Sequence, residues 1–248
     1  MTAAPTTTAT TATTTTPSLA EGGHDVRGMF DRVAGRYDAA NRIMSAGVDG
    51  LWRKKAIARL LEGLGGAPRV LDLGAGTLDG GLEIVRRAPG ARVAAADFSR
   101  EMLRAGRKKL PAGVVIETHG ADGHALPYRD AAFDGAFSAF CVRNLRDLPR
   151  ALAELRRVVR PGGRLAILEF FRPDKPRFFF DRVYNAHVLP LVGWAITGDR
   201  EAYRYLPDSI AQFRSRGELE ALLRAAGFAD VAGQPLFPSG VASLVVAS

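Results

Sequence analysis

Residues 69–77 read Arg-Val-Leu-Asp-Leu-Gly-Ala-Gly-Thr, and this stretch decides the fold. Its apolar part, residues 69–73, predicts a short buried strand that breaks into a turn at Gly74 and Gly76. A helix is predicted to follow from about Leu78 to Arg87. Glycines between a strand and a helix let backbone N–H groups approach a ligand closely, so this turn is the first candidate for a cofactor loop.

Strand and helix signals alternate along the rest of the chain. Asp97 ends the second strand, Ser99 is the expected N-cap of the next helix, and Pro161-Gly-Gly163 is a tight turn into the fifth strand. The other predicted strands are residues 92–96, 114–117, 133–139 and 164–169, and the other predicted helices are residues 53–64, 148–159 and 215–226. Two further strand candidates follow, ending at residues 244–246. This alternation predicts parallel βαβ units in a doubly wound α/β sheet, with helices covering both faces.

One folded domain is predicted, spanning residues 25–248. Residues 1–24 are rich in Thr and Ala, cannot bury a core, and are expected to be a disordered leader. Residues 170–212 are rich in aromatic side chains and are expected to form an irregular insertion. By its place after the fifth strand, this insertion would cover the carboxyl edge of the sheet and wall an acceptor pocket.

Composition excludes several classes of protein. The 34 basic and 26 acidic residues give a net charge of +8. No dense basic block is present, which favours a scattered basic surface over a membrane or phosphate site and speaks against nucleic-acid binding. The single cysteine, Cys141, rules out an intrachain disulfide and a multi-cysteine metal cluster, and its apolar surroundings predict a buried, unreactive thiol. Without a signal peptide or an apolar run of roughly 18–20 residues, a cytoplasmic protein is expected.

Two carboxylates at successive strand ends suit a nucleoside. Asp97 lies about 20 residues after the glycine loop, where a carboxylate accepts hydrogen bonds from ribose hydroxyls. Asp122 follows the third strand and could accept from an adenine amino group while Phe98 and Met102 pack against the ring; taken singly, it is equally well a turn residue. Asp79 replaces the third glycine of a dinucleotide fingerprint, which disfavours a pyrophosphate and suits a cationic sulfonium.

Several segments together resemble one family, the ubiquinone and menaquinone biosynthesis C-methyltransferases, from about Val26 to Phe228. These segments are residues 30–38 (Phe-Asp-Arg-Val-Ala-Gly-Arg-Tyr-Asp), 70–77, 140–144 (Phe-Cys-Val-Arg-Asn), 168–170, 189–193 and 198–207. The resemblance implies a Rossmann-like class I methyltransferase sheet, mostly parallel with an antiparallel C-terminal strand. It also implies methyl transfer from S-adenosylmethionine to a ring carbon of a polyprenylated quinol, with S-adenosylhomocysteine as the product and no metal.

The residue-level reasoning and the resemblance together predict a set of cofactor contacts. They are Gly74, Gly76, Thr77, Asp97, Phe98, Met102, Asp122, Gly123 and Ala139. Two positions depart from the family pattern. Leu78 stands where the family often has Gly, and Ala139 stands where a Ser contact is expected, so that side-chain hydrogen bond is absent.

Three residues are candidates for catalysis. Arg143 and Asn144, just past the fourth strand, could meet a quinol oxygen, and a guanidinium there would favour the ring oxyanion. His187, with an ordinary pKa of about 6.5, could accept the proton. Alternatives stay open, because Arg143 could instead pair with Asp147 and His187 could be a packing residue. Tyr37 and Asp38 would either close over the cofactor or, for Asp38, begin a helix.

Other functions remain open on these residues. A phospholipid or other small-molecule methyltransferase would share the cofactor loop and differ in residues 170–212. A non-catalytic scaffold that binds S-adenosylmethionine in a quinone-pathway complex is a second alternative, and a nicotinamide-dependent oxidoreductase is disfavoured by Asp79. Either a naphthoquinol or a benzoquinol ring suits an aromatic pocket; we favour the former without a residue-level reason. An isoprenoid tail predicts peripheral contact with the inner face of the membrane, and a homodimer is compatible with the resemblance.

Overall fold

The computed structural model of the protein describes residues 26–45, 47–172, 200–237 and 242–248. The helices are α1 (Val26–Val33), α2 (Tyr37–Met44), α3 (Val48–Leu61), α4 (Asp79–Arg87), α5 (Arg100–Arg107), α6 (Leu148–Val158), α7 (Arg200–Gln212) and α8 (Arg216–Ala225). The strands are β1 (Arg69–Leu73), β2 (Arg92–Asp97), β3 (Glu117–Gly120), β4 (Phe133–Ala139), β5 (Val159–Phe170), β6 (Val231–Pro235) and β7 (Ala242–Ala247). The predicted leader, residues 1–24, lies outside the described part of the chain.

The strands form one sheet in the order β3-β2-β1-β4-β5-β7-β6. Strands β1 to β5 pair in parallel, and β7 runs antiparallel to both of its neighbours, β5 and β6. The predicted doubly wound sheet with an antiparallel C-terminal strand is therefore confirmed. The strand order reverses between β1 and β4, and ligands of open α/β sheets bind at the carboxyl ends of the strands at such a switch point.

Helices cover both faces of the sheet, as its apolar strands require. Leu71 and Leu73 belong to the core cluster on one face, which includes buried side chains of α6 and α8. Val70 belongs to the opposite cluster, with Ile57 and Leu60 of α3. Because successive side chains of a strand point to opposite faces, the short run in β1 supplies both cores.

Helix caps that the sequence encodes are formed. The Ser99 hydroxyl accepts from the Met102 backbone N–H at the start of α5, which confirms that predicted N-cap. Asp147 caps α6 in the same way, and Ser215 forms a capping box with Glu218 at the start of α8. Helix α3 begins at Val48, earlier than the predicted Arg53, after a Gly47 with φ of 76°.

The predicted third strand, residues 114–117, is wrong in position. Ladder pairing with β2 begins only at Glu117, which lies opposite Ala94, and continues to Gly120. Ile116 is buried before the ladder starts, while Val115 is 79% exposed. Ile116 therefore packs on the core without pairing, and the short edge strand consists of polar residues that the hydrophobic pattern did not mark.

The turn predicted at Pro161-Gly-Gly163 lies inside β5 and does not precede it. Phe133 pairs with Val159 and Gly135 pairs with Arg164, so the register shifts between these two pairs. Gly162 has φ of +72°, which a residue with a Cβ rarely adopts. The three residues are therefore a bulge that one continuous strand accommodates.

The last 13 residues of the predicted insertion 170–212 are helical, not irregular as predicted, and residues 173–199 lie outside the described part of the chain. Helix α7 covers Arg200–Gln212 and carries Pro207 in its interior. Tyr205 and Ile210 are buried, and so is Ser209, a spacing that fits one face of a helix. A proline inside a helix is unfavourable in isolation, so the sequence pattern did not predict this helix. Tertiary packing stabilises it.

Candidate functional site

The glycine loop after β1 is held against the end of β2. The backbone N–H groups of Gly74 and Ala75 both donate to the Ala96 carbonyl, at 2.8 and 3.2 Å. Gly74 has φ of +69°, and a Cβ at this position would lie 2.3 Å from the Cys141 Sγ. Only glycine satisfies both the backbone conformation and the space, so the loop is shaped before any ligand arrives.

The departure at Leu78 has a structural reason. Leu78 adopts φ of 68°, a left-handed conformation that glycine enters without strain. Its side chain is nevertheless fully buried in the core cluster beneath the loop. Burial of a leucine side chain, worth about 1.5–3 kcal/mol, offsets a left-handed conformation that costs roughly 1–2 kcal/mol.

Asp97 is buried at the end of β2 and faces this loop. One carboxylate oxygen accepts from the Gly76 backbone N–H and the other from the Ser99 backbone N–H, each at 2.8 Å. Burial raises the pKa of Asp97, and the two backbone donors oppose that rise. A carboxylate oxygen accepts more than one hydrogen bond, so each retains capacity for a ligand hydroxyl.

Phe98 and Met102 form an apolar wall beside Asp97. Met102 is buried, and its Cε would lie 3.3 Å from a Cβ added at Gly76. Phe98 is half-buried and meets Phe30 edge to face, with ring centroids 6.1 Å apart. Since Phe30 belongs to α1, this N-terminal helix lies against the wall.

Asp122 reaches the same edge of the sheet, because the Ala121 N–H donates to the Asp97 carbonyl at 2.9 Å. Its side chain is 69% exposed and accepts from the His124 backbone N–H at 2.9 Å. That backbone donor, more than the His124 ring, lowers the pKa of Asp122. Gly123 is buried, where a Cβ would lie 3.1 Å from Leu145. The local contacts account for Asp122 as a turn residue and leave it open to solvent.

A charged network that the sequence reasoning missed fastens α2 to the loop. The Thr77 hydroxyl donates to Asp38, and the Lys109 ammonium lies 2.5 Å from carboxylate oxygens of both Asp38 and Asp79. Arg53 lies 3.8 Å from Asp79. The charge of Asp79, which the sequence argument related to a cationic sulfonium, is thus paired with Lys109 and Arg53. Asp38 and Lys109 stand 71 positions apart, and no short-range pattern signals their contact.

Arg143 is buried in an ion pair with Glu169, not with Asp147 as the alternative interpretation had it. Its Nη1 donates to Glu169 Oε1 at 2.7 Å and to the Phe140 carbonyl at 2.8 Å. The Glu169 side chain is 0% exposed and also accepts from the Phe170 N–H at 2.7 Å. Burial raises the pKa of Glu169, and the adjoining guanidinium opposes the rise. Asp147 serves as the N-cap of α6.

Helix α7 closes over this ion pair. The Tyr205 hydroxyl donates to Asn144 Oδ1 at 2.7 Å, and Arg143 Nε lies 3.4 Å from the Ser209 hydroxyl. The sequence therefore placed Arg143 and Asn144 correctly as neighbours past β4 but not their partners. Predicted catalytic residue His187 lies outside the described residues.

The loop and the ion pair are close neighbours. Cys141 stands between them, against the position of a Gly74 Cβ and two residues before Arg143. Cys141 is half-buried, not fully buried as predicted, and its burial raises the pKa of the thiol, which disfavours the reactive thiolate. Burial raises the pKa of Tyr37 in α2, and the next residue, Asp38, accepts a hydrogen bond from the Thr77 hydroxyl, so α2 lies against the loop. Ala139 ends β4, and the preceding Ser138 hydroxyl donates to the Leu73 carbonyl at 2.9 Å.

Asp72 in β1 is expected to make the stability of the folded protein depend on pH. Burial raises its pKa to about 7, and its Oδ2 has no hydrogen-bond partner among the described residues. The folded protein therefore binds this proton more tightly than the unfolded chain does, where the pKa of Asp is about 3.9. As a result, the free energy of unfolding falls as the pH rises from about 4 to about 7. Asp72→Asn removes the titration. We expect the variant to gain stability over the wild type between about pH 5 and pH 8, by up to about 4 kcal/mol.

Denaturant unfolding at both pH values measures this gain. Asp134→Asn is the control, because its carboxylate accepts from the Arg69 N–H, which lowers its pKa. Asp134 is ionised in both states over this range, so its variant should differ from the wild type by a constant amount. A difference for Asp72→Asn that does not change with pH contradicts the prediction.

Of the helices in the described ranges, none combines the length and apolar character needed to cross a bilayer. Within those same ranges, His, Cys, Asp and Glu side chains do not gather in threes in a way that could hold a metal ion.

Comparison with known proteins adds to this geometry. Residues 19–247 match the ubiE/COQ5 methyltransferase family. The demethylmenaquinone methyltransferase of Thermus thermophilus is 47% identical over 203 residues, which cover 81% of this chain and 91% of that protein. The ubiquinone/menaquinone biosynthesis C-methyltransferase UbiE of Syntrophotalea carbinolica is 44% identical over 211 residues, or 84% and 88% of the two chains. A solved SAM-dependent methyltransferase from Thermotoga maritima, 20% identical, shares the fold with a TM-score of 0.59 over 89% of this chain and 98% of its own.

Proposed function

The chain belongs to the ubiE/COQ5 methyltransferase family, and from that premise we propose that it methylates a ring carbon of a polyprenylated quinol with S-adenosylmethionine as the donor. One observation supports this proposal above the others. The glycine loop and the buried Arg143 lie at the same edge of the sheet, on either side of Cys141. Demethylmenaquinol is the acceptor we favour, because the Thermus thermophilus relative is named for demethylmenaquinone.

The residues around the loop fit an adenosine. Gly74 packs against Cys141 with no room for a Cβ, which fixes the loop, and Asp97 offers a buried carboxylate at the position where ribose hydroxyls are bound in open α/β sheets. We propose that Phe98 and Met102 hold the adenine between apolar surfaces. The remaining proposed contacts are Gly76, Thr77, Asp122, Gly123 and the backbone at Ala139. When bound, S-adenosylmethionine supplies a methyl group on a positively charged sulfur.

The acceptor needs its ring oxygen activated, because a ring carbon becomes a good nucleophile only as a neighbouring hydroxyl loses its proton. Arg143 is suited to stabilise the developing oxyanion. Of its five N–H groups, hydrogen bonds within the described residues use Nε and both hydrogens of Nη1. The two N–H groups of Nη2 are left to meet an acceptor oxygen.

Asn144 and its surroundings would orient the ring. The Tyr205 hydroxyl occupies Asn144 Oδ1, which leaves the amide N–H groups of Asn144 as donors toward the same oxygen. Since Glu169 holds the guanidinium in place, no reorganisation is needed as charge develops. The hydroxyl proton would pass to water or to His187. As the ring carbon bonds to the methyl group, the methyl–sulfur bond breaks; the hydrogen of that carbon then leaves as a proton and a proton returns to the oxygen, which restores the aromatic ring with a net release of one proton. We place the enzyme in the cytoplasm, at the inner face of the membrane where a polyprenylated acceptor resides; a homodimer stays a prediction.

Methyl transfer from labelled S-adenosylmethionine tests the proposal. We expect label in demethylmenaquinol, less in a demethylated benzoquinol and none in phosphatidylethanolamine. Label in the phospholipid would instead support the alternative lipid methyltransferase. Calorimetric binding of S-adenosylhomocysteine without transfer to any acceptor would support a non-catalytic scaffold, and binding of NAD in its place would refute the cofactor assignment.

A further inference from the structure

A series of aromatic rings leads from Arg143 towards the protein surface. The guanidinium carbon of Arg143 lies 6.0 Å from the centroid of the Phe170 ring. Phe170 stacks on Phe140, with centroids 4.7 Å apart, and meets the edge of Trp52 at 6.1 Å. Trp52 belongs to α3, so the series connects the proposed acceptor oxygen site with that helix.

The outer end of the series carries exposed apolar side chains. The Trp52 indole N–H donates to the Phe237 carbonyl at 2.7 Å. The Phe237 side chain is 89% exposed, and Leu51, adjacent to Trp52, is 63% exposed. By contrast, Leu236 is buried in the same core cluster as Trp52, which fixes the backbone that presents Phe237.

Two lysines flank these apolar side chains. Lys54 and Lys55 follow Leu51 by three and four positions, the spacing of neighbours on one face of a helix, and both are exposed. Neither takes part in the ion pairs recorded between described residues, whereas Arg53 turns to Asp49 and Asp79. We call Leu51, Lys54, Lys55 and Phe237 the docking face.

We propose that the docking face binds an anionic lipid bilayer, with Leu51 and Phe237 in the acyl boundary and both lysines at the headgroups. The inference rests on the proposed function, since a polyprenylated acceptor has to be drawn from the membrane. Its isoprenoid tail would run along Phe140, Phe170 and Trp52 and leave the protein where the face meets lipid. Apolar insertion and basic charge act together here, the combination that peripheral binding requires.

Vesicle sedimentation of the full chain tests the docking face. The probes are phosphatidylcholine vesicles with and without phosphatidylglycerol. We expect the wild type to prefer the anionic vesicles, and the Leu51→Ser/Phe237→Ser and Lys54→Glu/Lys55→Glu variants each to bind them at least about 10-fold more weakly. Val115→Ser is the matched control, because Val115 is 79% exposed but lies just before the edge strand β3. Equal binding by both double variants and the wild type, or loss of binding in the control alone, overturns the proposal.

Activity on two acceptors separates this proposal from the proposed function. On a soluble demethylated naphthoquinol without a prenyl tail, the docking-face variants should retain kcat/KM to within about 2-fold, because such surface substitutions leave the folded protein intact. On a long-tailed acceptor in anionic vesicles they should lose most of it. If the wild type methylates neither acceptor, the proposed function is refuted. The sedimentation experiment still tests the docking face in that case. If the variants methylate the long-tailed acceptor in vesicles as fast as the wild type does, only the docking-face proposal is refuted. The same holds if the variants lose self-association but still bind lipid.

Discussion

Arg143→Ala is expected to lower kcat/KM for the quinol acceptor by about 10²–10³-fold, the usual effect of removing one donor to a developing oxyanion. The side chain supplies the two Nη2 N–H groups that the contacts described here leave for the acceptor. Its loss also leaves the Glu169 carboxylate without its cationic partner, although the Glu169 side chain is 0% exposed. An uncompensated buried charge costs about 3–5 kcal/mol, so the variant should also be markedly less stable.

Steady-state kinetics with S-adenosylmethionine and demethylmenaquinol measure the loss, and calorimetry with S-adenosylhomocysteine establishes that the variant is folded. Arg143→Lys keeps the charge but replaces the planar fork with a single ammonium group, which cannot hold Glu169 and an acceptor oxygen in the same geometry. We expect it to be more stable than Arg143→Ala and still strongly impaired. A folded Arg143→Ala with nearly normal kcat/KM would remove Arg143 from the mechanism.

Glu169→Gln separates positioning from chemistry. The amide keeps the shape but weakens the hydrogen bond to Arg143 Nη1, and the fully buried Glu169 side chain makes its recorded contacts with Arg143 and the Phe170 N–H. We expect a lower kcat with KM nearly unchanged, because the donor is displaced without loss of ring contacts. An effect confined to stability would assign Glu169 a structural role only.

Asp97→Asn is expected to weaken binding of S-adenosylhomocysteine by about 10–100-fold. The carboxylate accepts backbone N–H groups from Gly76 and Ser99, one at each oxygen. An amide can accept at only one of these places and turns its own N–H groups towards the other, which leaves a buried donor unpaired at about 1–3 kcal/mol. The loop and the proposed ribose contact are therefore lost together.

Isothermal calorimetry measures this loss, and Asp122→Asn is the matched comparison. Asp122 is 69% exposed, so solvent screens its charge, and an asparagine oxygen still accepts from an adenine amino group. We expect no more than about a 5-fold change there, roughly 1 kcal/mol. Unchanged affinity in Asp97→Asn, or a larger effect at Asp122 than at Asp97, contradicts the assignment.

The fold was predictable wherever local pattern and tertiary environment agree. The bounds of β1 and β4 are the predicted ones, because buried parallel strands are short apolar runs closed by turn residues. Strand β3 and helix α7 were not, because pairing and packing there override the pattern: β3 is a polar edge strand, and α7 contains Pro207. Helix α1 was not predicted as an element, and α2 appeared only as the alternative in which Asp38 begins a helix. Each has only eight residues and is supported by tertiary contacts, Phe30 with Phe98 and Asp38 with Thr77.

By itself the sequence determined the parallel sheet, the glycine loop and the strand-end position of Asp97, because these follow from periodicity and from residues a few positions apart. It also placed Arg143 beside Asn144. Only the tertiary structure decided that Arg143 pairs with Glu169, 26 positions away, and that Asp38 and Lys109 fasten α2 to Thr77. Such contacts depend on which strand ends and helices come together in space. The positions of two ionic partners along the chain follow no periodic pattern, so the sequence does not show which residues will pair.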